Sequence, residues 1–186
     1  GSVLGLVPVI GGAMVLIAFL SENAAESWSA LHIERTLGGS AAEGSLGPAL
    51  MALTMGIARL GGQKLLGRTT ERRLLQGGAV VAALGAMIAA LAVSPLMAYA
   101  GFVVLGLGAS VIAPTAFALV GRLARPEHRA RAVARATMLG YVGYFFGPPA
   151  IGMIAAVLGL RAAFGFAALA LLVVLVLAPM MARRAH

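Results

Sequence analysis

Two carboxylates, Glu22 and Glu26, lie one helical turn apart inside an apolar stretch near the start of the chain. At about 100° per residue, Ser29 falls within about 60° of them on the same helix face, and Asn23 lies beside them. Carboxylates that are this close and partly buried repel each other, which favours protonation of at least one of them. This face could therefore bind a proton at Glu22 and polar groups of a solute at Asn23 and Glu26.

The composition around this face is that of a membrane protein. Hydrophobic residues make up 61% of the 186 residues and charged residues 11%, and the mean hydropathy is +0.98. Soluble domains are nearer to 45–50% apolar and about 25% charged. A carboxylate is costly in hydrocarbon, so Glu22 and Glu26 should face a bundle interior or a watery cavity. Simple solvation at the outer membrane interface is the alternative for both acids.

Several classes of function are disfavoured by what the sequence lacks. The net charge is +8, but the basic residues form short clusters between apolar runs, unlike a nucleic-acid-binding face. There is no cysteine, and His32, His128 and His186 are too far apart to indicate a metal site. No HExxH, P-loop or nucleophile-elbow pattern occurs, so we expect neither an enzyme nor a cofactor.

The apolar runs predict an all-α membrane bundle over residues 3–186, after Gly1-Ser2, which is typical of a cloning remnant. Six segments are long and apolar enough to span a bilayer. They are residues 3–34, 44–66, 74–93, 96–122, 130–158 and 161–182. Turn residues separate them, at Gly38-Gly39-Ser40, Ser94-Pro95, Arg125-Pro126-Glu127 and Gly159.

The distribution of Lys and Arg predicts that both termini are cytoplasmic. With that orientation eleven basic residues lie inside and two, Arg35 and Arg161, lie outside. The eleven are Lys64, Arg68, Arg72, Arg73, Arg122, Arg125, Arg129, Arg131, Arg135, Arg183 and Arg184.

The six segments differ in polarity in a repeating way. Residues 74–93 carry one polar amide and residues 161–182 carry no polar side chain after Arg161, so we expect both segments to face lipid. The other four carry polar side chains and can line a cavity. This pattern predicts two three-helix repeats of inverted topology.

Two segments resemble motifs of the major facilitator superfamily. The loop at residues 59–73 resembles that family's Gly-x-x-x-Asp-Arg-x-Gly-Arg-Arg loop, with matches at Gly62, Arg68, Arg72 and Arg73. Gly67 and Thr70 stand where the motif has Asp and its second Gly. Positive-inside charge alone is the alternative interpretation.

Residues 140–152 are similar to the family's Gly-x-x-x-Gly-Pro helix motif. Gly143 and Gly147 allow a close helix approach, while Pro148 and Pro149 remove backbone donors and favour a bend. Static packing with a fixed kink is the alternative to a role in movement.

Other polar and aromatic residues of these helices receive separate predictions. Tyr141, Tyr144 and Phe145 share the face opposite the glycines, where they could form a cavity wall or pack in the core. Arg59, with Gln63 one turn on, is expected to act in structural gating by snorkelling or by binding carbonyls at a helix end. Trp28 is expected at the membrane interface, and His32 and Glu34 at the outer surface.

The resemblance implies half of a twelve-helix transporter fold, namely the C-terminal helices seven to twelve. It further implies proton-coupled, secondary active transport of a small-molecule substrate by alternating access in the inner membrane. The partners would be the lipid bilayer, protons and an N-terminal six-helix half, or a second copy of this chain. An isolated or self-associating six-helix fragment without transport activity is the alternative.

Overall fold

The computed structural model describes residues 5–66 and 68–183, without the side chains of residues 63–66. These residues are helical nearly throughout and contain no β-strand, which confirms the all-α prediction. The proposed cloning remnant Gly1-Ser2, the motif position Gly67 and Arg184 lie outside the described residues. The helices are α1 (Val7–Leu31), α2 (Ala41–Leu66), α3 (Glu71–Leu91), α4 (Pro95–Ala109), α5 (Ile112–Leu123), α6 (Arg129–Leu158), α7 (Leu160–Leu172) and α8 (Val174–Ala182).

These helices form six long helical segments in the described chain, because α4 with α5 and α7 with α8 each continue one another. A π-helical turn, His32–Thr36, extends α1, and a 3₁₀ turn, Pro126–His128, precedes α6. Five stretches of the described chain are long and apolar enough to cross a membrane by length and composition. The remaining helix, α2, is 26 residues long, and Arg59 and several glycines make it less apolar.

The fourth predicted segment, residues 96–122, is interrupted just before Pro114. The α-helix stops after Ala109 and resumes at Ile112. Pro114 has no N–H to bond the carbonyl four residues earlier, which belongs to Ser110. The Ser110 hydroxyl donates to the carbonyl of Leu107 at 2.8 Å and so supplies one local donor at the break.

The predicted turn residues end and begin helices as expected. Gly38 and Gly159 have φ angles of 72° and 88°, in the left-handed region that favours glycine. Ser94 caps α4 by accepting a hydrogen bond from the Met97 N–H at 3.3 Å, with Pro95 in the first helical position. Local sequence therefore determines where these spans begin and end.

The third span is more buried than its apolar sequence predicts. One face of α3 packs closely on α4, where a side chain on Gly85 would meet the Leu105 backbone, and on α7. Only the face with Val80, Leu84 and Leu91 is exposed. Small residues let these backbones approach, so an apolar helix that was expected at the lipid boundary is also part of the core.

The tightest seam on α1 is its contact with α6. A side chain on Gly143 would collide with the backbone carbonyl of Leu16, and one on Gly147 would lie 3.2 Å from the Leu20 Cα. Gly140 lies against Val15 in the same row. The glycines of the predicted helix motif thus face α1, and close backbone packing holds the two helices together.

We expect Gly143→Leu to destabilise the fold by about 1–3 kcal/mol, the usual cost of overpacking a well-packed contact. The measurement is thermal unfolding of the purified full-length protein in detergent. Gly165→Leu is the matched control, because a side chain at Gly165 meets no described atom within 4 Å. Equal melting temperatures for the two variants would contradict a close α1–α6 seam.

Candidate functional site

A cleft of about 290 Å³ opens between α1 and α2. Glu22 and Glu26 project into it from α1, and Arg59 does so from α2. The α2 wall is completed by Pro48, Met51, Ala52, Met55 and Gly56. The two predicted carboxylates therefore share one cavity whose other walls are almost entirely apolar.

Glu22 and Arg59 form an ion pair inside this cleft. Arg59 Nη2 donates to Glu22 Oε2 at 3.4 Å, and the side chains are 14% exposed at Glu22 and 48% at Arg59. Glu22 Oε1 is buried and has no hydrogen-bond partner among the described residues. The prediction that Arg59 binds a carbonyl cluster names the wrong partner, since Arg59 binds the Glu22 carboxylate. A buried carboxylate needs a counter-charge more than a carbonyl does.

The cleft has this shape because α1 and α2 touch at one end only. A side chain on Gly47 would lie 2.8 Å from Ile33 and 3.1 Å from the Ser29 hydroxyl oxygen, so the helices are in close contact there. A side chain on Gly56 would meet no described atom within 4 Å. The helices thus separate from Gly47 toward Gly56 and leave room beside Glu22.

Ser29 lies in the closed end and not in the cleft. Its side chain is fully buried, and its hydroxyl has no hydrogen-bond partner among the described residues. The helix face with Glu22, Glu26 and Ser29 exists, but α2 covers its last member. This corrects the prediction that Ser29 belongs to an open polar wall.

Asn23 and Trp28 bind the backbone of α6 across the glycine seam. Asn23 Nδ2 donates to the Tyr144 carbonyl at 2.7 Å, and Trp28 Nε1 donates to the Pro148 carbonyl at 3.1 Å. Tyr144 needs an outside donor because Pro148, four residues later, has no N–H to offer it. Trp28 therefore ties two helices together, and an assignment as a membrane-interface anchor alone is too narrow.

The aromatic face of α6 is exposed, as a cavity wall requires. Ring centroids of Tyr141, Tyr144, Phe145 and Phe19 lie 5.6–6.3 Å apart in a connected cluster. Tyr141 and Tyr144 are 49% and 43% exposed, and Phe145 is 68% exposed. Core packing within the described residues does not account for this face. Pro149, beside the cluster, is exposed as well.

His32 is fully buried, so the prediction that it lies at the outer surface is wrong. Its Nε2 lies 2.8 Å from the Ala89 carbonyl, and its ring centroid is 5.1 Å from that of Phe164. These two contacts of His32 form because α3 and α7 pack over the end of α1. No local sequence pattern indicates that packing. Glu34, half-buried beside Gly44, also packs against protein.

Comparison with known proteins identifies the family. The sequence profile of the Major Facilitator Superfamily matches residues 11–186. This chain belongs to the Major Facilitator Superfamily. An uncharacterized MFS-type transporter of Yersinia pestis is 35% identical over 164 residues, which cover 88% of this chain and 42% of that protein. Membrane protein MosC of Rhizobium meliloti is 28% identical over 155 residues, covering 83% and 38%.

Solved structures of the Major Facilitator Superfamily fold agree with this assignment. A crystal structure of the peptide transporter POT in complex with sulfate superposes with a TM-score of 0.85 at 16% identity. The match covers 96% of this chain and 38% of that one. The chain thus spans less than half the length of the relatives that it matches.

The superfamily-type loop contributes a second ion pair, which the sequence did not indicate. Glu71, in the first turn of α3, accepts a hydrogen bond from Arg122 Nε at 3.0 Å and so links α3 to the end of α5. Arg68, Arg72 and Arg73 are exposed beside it, Gly62 packs near Val111, and the Gln63 side chain lies outside the described part. An acid thus holds a cationic partner at this loop even though the motif Asp is absent.

We expect Asn23→Leu to destabilise the protein by about 0.6–1.7 kcal/mol, the range measured for hydrogen bonds between membrane helices. In a protein that already carries Pro148→Ala, Asn23→Leu should be nearly neutral relative to Pro148→Ala alone. An alanine at position 148 restores a backbone donor to the Tyr144 carbonyl. A double-mutant cycle of thermal or denaturant unfolding in detergent measures this coupling. Equal effects of Asn23→Leu in both backgrounds would disprove the compensation.

Proposed function

We propose that this chain is the C-terminal half, helices seven to twelve, of a secondary active transporter that moves a small solute across the inner membrane. The support is its membership of a transporter superfamily and relatives more than twice as long. Exposed apolar faces on α2 and α6 are what a second, N-terminal half would cover. Both termini would be cytoplasmic by the positive-inside rule.

Proton coupling is assigned to Glu22. The observation that carries this proposal is the Glu22–Arg59 pair in the α1–α2 cleft, with one carboxylate oxygen buried and unpaired among the described residues. That oxygen can accept a proton. Protonation removes the charge that holds Arg59, so the two helices lose an attraction at the place where they are already apart. A proton can in this way bias an equilibrium between two packing states.

During alternating access the close α1–α6 seam would stay intact, and the loose α1–α2 cleft would change. Glycine packing and the Asn23 and Trp28 hydrogen bonds make α1 and α6 one unit. Among the described glycines of α2, Gly47 is in close contact with α1 and Gly56 is not. Movement between the two halves would then alter the α2 side and leave the α6 side intact.

The solute is proposed to contact the aromatic face of α6 and Glu26. Tyr141, Tyr144 and Phe145 offer exposed rings and two hydroxyls, which suit a sugar-sized or amphipathic molecule. Glu26 is exposed one turn from Glu22 and offers an acceptor for its polar groups. Because Asn23 donates to the Tyr144 carbonyl and accepts from the Ser27 hydroxyl at 3.4 Å, its amide would hold this wall in place more than it would contact solute.

We expect Glu22→Gln to abolish solute accumulation driven by a pH gradient while solute exchange continues, because the amide cannot carry a proton. The measurement is uptake and counterflow in proteoliposomes of the full-length protein, with a solute selected by its thermal shift. Glu127→Gln is the matched control, because Glu127 is exposed in the turn before α6. Unchanged proton-driven accumulation by Glu22→Gln would remove Glu22 from the mechanism.

Self-association without transport is the second candidate, favoured by the same exposed faces. Ile57 is 64% exposed on α2 and Phe146 is 68% exposed on α6. These 186 residues contain no cysteine, so once any cysteine elsewhere in the full-length protein is replaced, the thiol of Ile57→Cys can form a disulfide only with a second copy. We expect this variant of the full-length protein to stay monomeric under oxidation, because the proposed N-terminal half covers the α2 face. Disulfide-linked dimers as the main product would favour self-association.

A further inference from the structure

An apolar groove of about 710 Å³ runs between α2 and α3, with α4 as its floor. Ile57 and Gly61 line it from α2, Gly77 and Val81 from α3, and Leu107 from α4. None of its lining residues lines the Glu22 cleft. A smaller cavity of about 200 Å³ shares Arg59 with the cleft and Gly62 and Val111 with the groove, so the two are neighbouring sites with different lining residues.

Two glycines in the walls of this groove leave it without side chains, although helix packing does not require glycine at either position. Side chains added at Gly61 or Gly77 would meet no described atom within 4 Å. Gly78, in contrast, lies against Val111 and the Gly108 carbonyl, where its missing side chain allows α3 and α4 to pack. A helical glycine costs about 1 kcal/mol relative to alanine. Open space at Gly61 and Gly77 is thus maintained at the expense of stability.

One end of the groove is cationic. Arg73, in the first turn of α3, lines both the groove and an adjoining cleft of about 660 Å³. Arg72 and Arg122 also line that cleft, and Glu71 neutralises only Arg122. The N-terminus of α3 adds its own partial positive charge. Arg72 and Arg73 thus supply uncompensated charge, within the described part of the chain, where the apolar span begins.

We propose that this groove binds an anionic phospholipid, with an acyl chain along Gly61 and Gly77 and the headgroup phosphate at Arg73. A long apolar channel with a cationic end is complementary to a molecule that has a hydrocarbon tail and an anionic head. Basic residues at the end of a membrane helix attract such lipids from the surrounding leaflet. The site requires that the chain spans a membrane and that the proposed N-terminal half leaves the groove between α2 and α3 open to lipid. It does not require transport activity.

Photo-labelling in vesicles tests the headgroup contact. The full-length protein is reconstituted in phosphatidylcholine with a trace of phosphatidylglycerol or phosphatidylcholine that carries a photoreactive acyl chain. We expect phosphatidylglycerol to label α2 and α3 peptides preferentially, and Arg73→Gln to reduce this preference about fivefold. Arg131→Gln, which removes an exposed charge from α6, should leave it unchanged. Equal labelling by both lipids would overturn the proposal. So would loss of the labelling when inorganic phosphate is added to the vesicles, because the cationic end would then bind free phosphate in place of a lipid headgroup.

Filling the groove tests the acyl-chain contact separately. Gly77→Leu and Gly61→Leu should each reduce labelling of α2 and α3 by both lipids, since a leucine occupies the channel without meeting a neighbour. Gly165→Leu on α7 is the matched control and should label as the parent protein does. If a groove variant is labelled as strongly as the control, the acyl chain does not occupy the groove. If neither lipid labels α2 and α3 of the parent protein, another part of the protein shields the groove and the site does not exist.

Discussion

Hydrocarbon offers no hydrogen bonds, so a polar side chain that enters a membrane span is stabilised by a partner within the protein. Three polar groups of the first helix find such partners on neighbouring helices. Glu22 finds Arg59 on α2, and Asn23 and Trp28 find backbone carbonyls on α6. Because these contacts lie on two sides of α1, they fix both neighbours around it. The proposed site follows from the same need for partners.

The two sides of α1 differ in how firmly they are held. Toward α6, glycines bring backbones into contact and Pro148 leaves a carbonyl that Asn23 satisfies. Toward α2, Gly47 packs closely on Ser29, and farther along the helices the Glu22–Arg59 pair spans an open cleft. A charge pair of this kind can be broken by one proton, whereas the glycine seam contains nothing that titrates. This contrast gives the proposed coupling its physical basis.

Hydropathy and turn residues were sufficient to predict the spans, because their signals are local. Ser94 and Gly159 mark helix ends from their own chemistry, and helical periodicity places Glu22 and Glu26 on one face. Partners distant in sequence could not be predicted in this way. Arg59 is 37 residues from Glu22, and His32 is buried by helices that follow much later. Likewise, periodicity put Ser29 beside the acids, but only the packing of α2 shows that Gly47 closes over it.

Water in the cleft beside Glu22 can be measured directly with single thiols, because these 186 residues contain no cysteine and any cysteine elsewhere in the full-length protein can be replaced. Gly56→Cys introduces a thiol into the open part of the cleft, and Leu84→Cys introduces one on the exposed apolar face of α3. In vesicles of the full-length protein, a charged thiol reagent that cannot enter hydrocarbon should modify the cleft thiol and leave the α3 thiol unmodified. If the cleft thiol is as unreactive as the α3 thiol from both sides of the membrane, the cleft is dry and Glu22 cannot exchange protons through it.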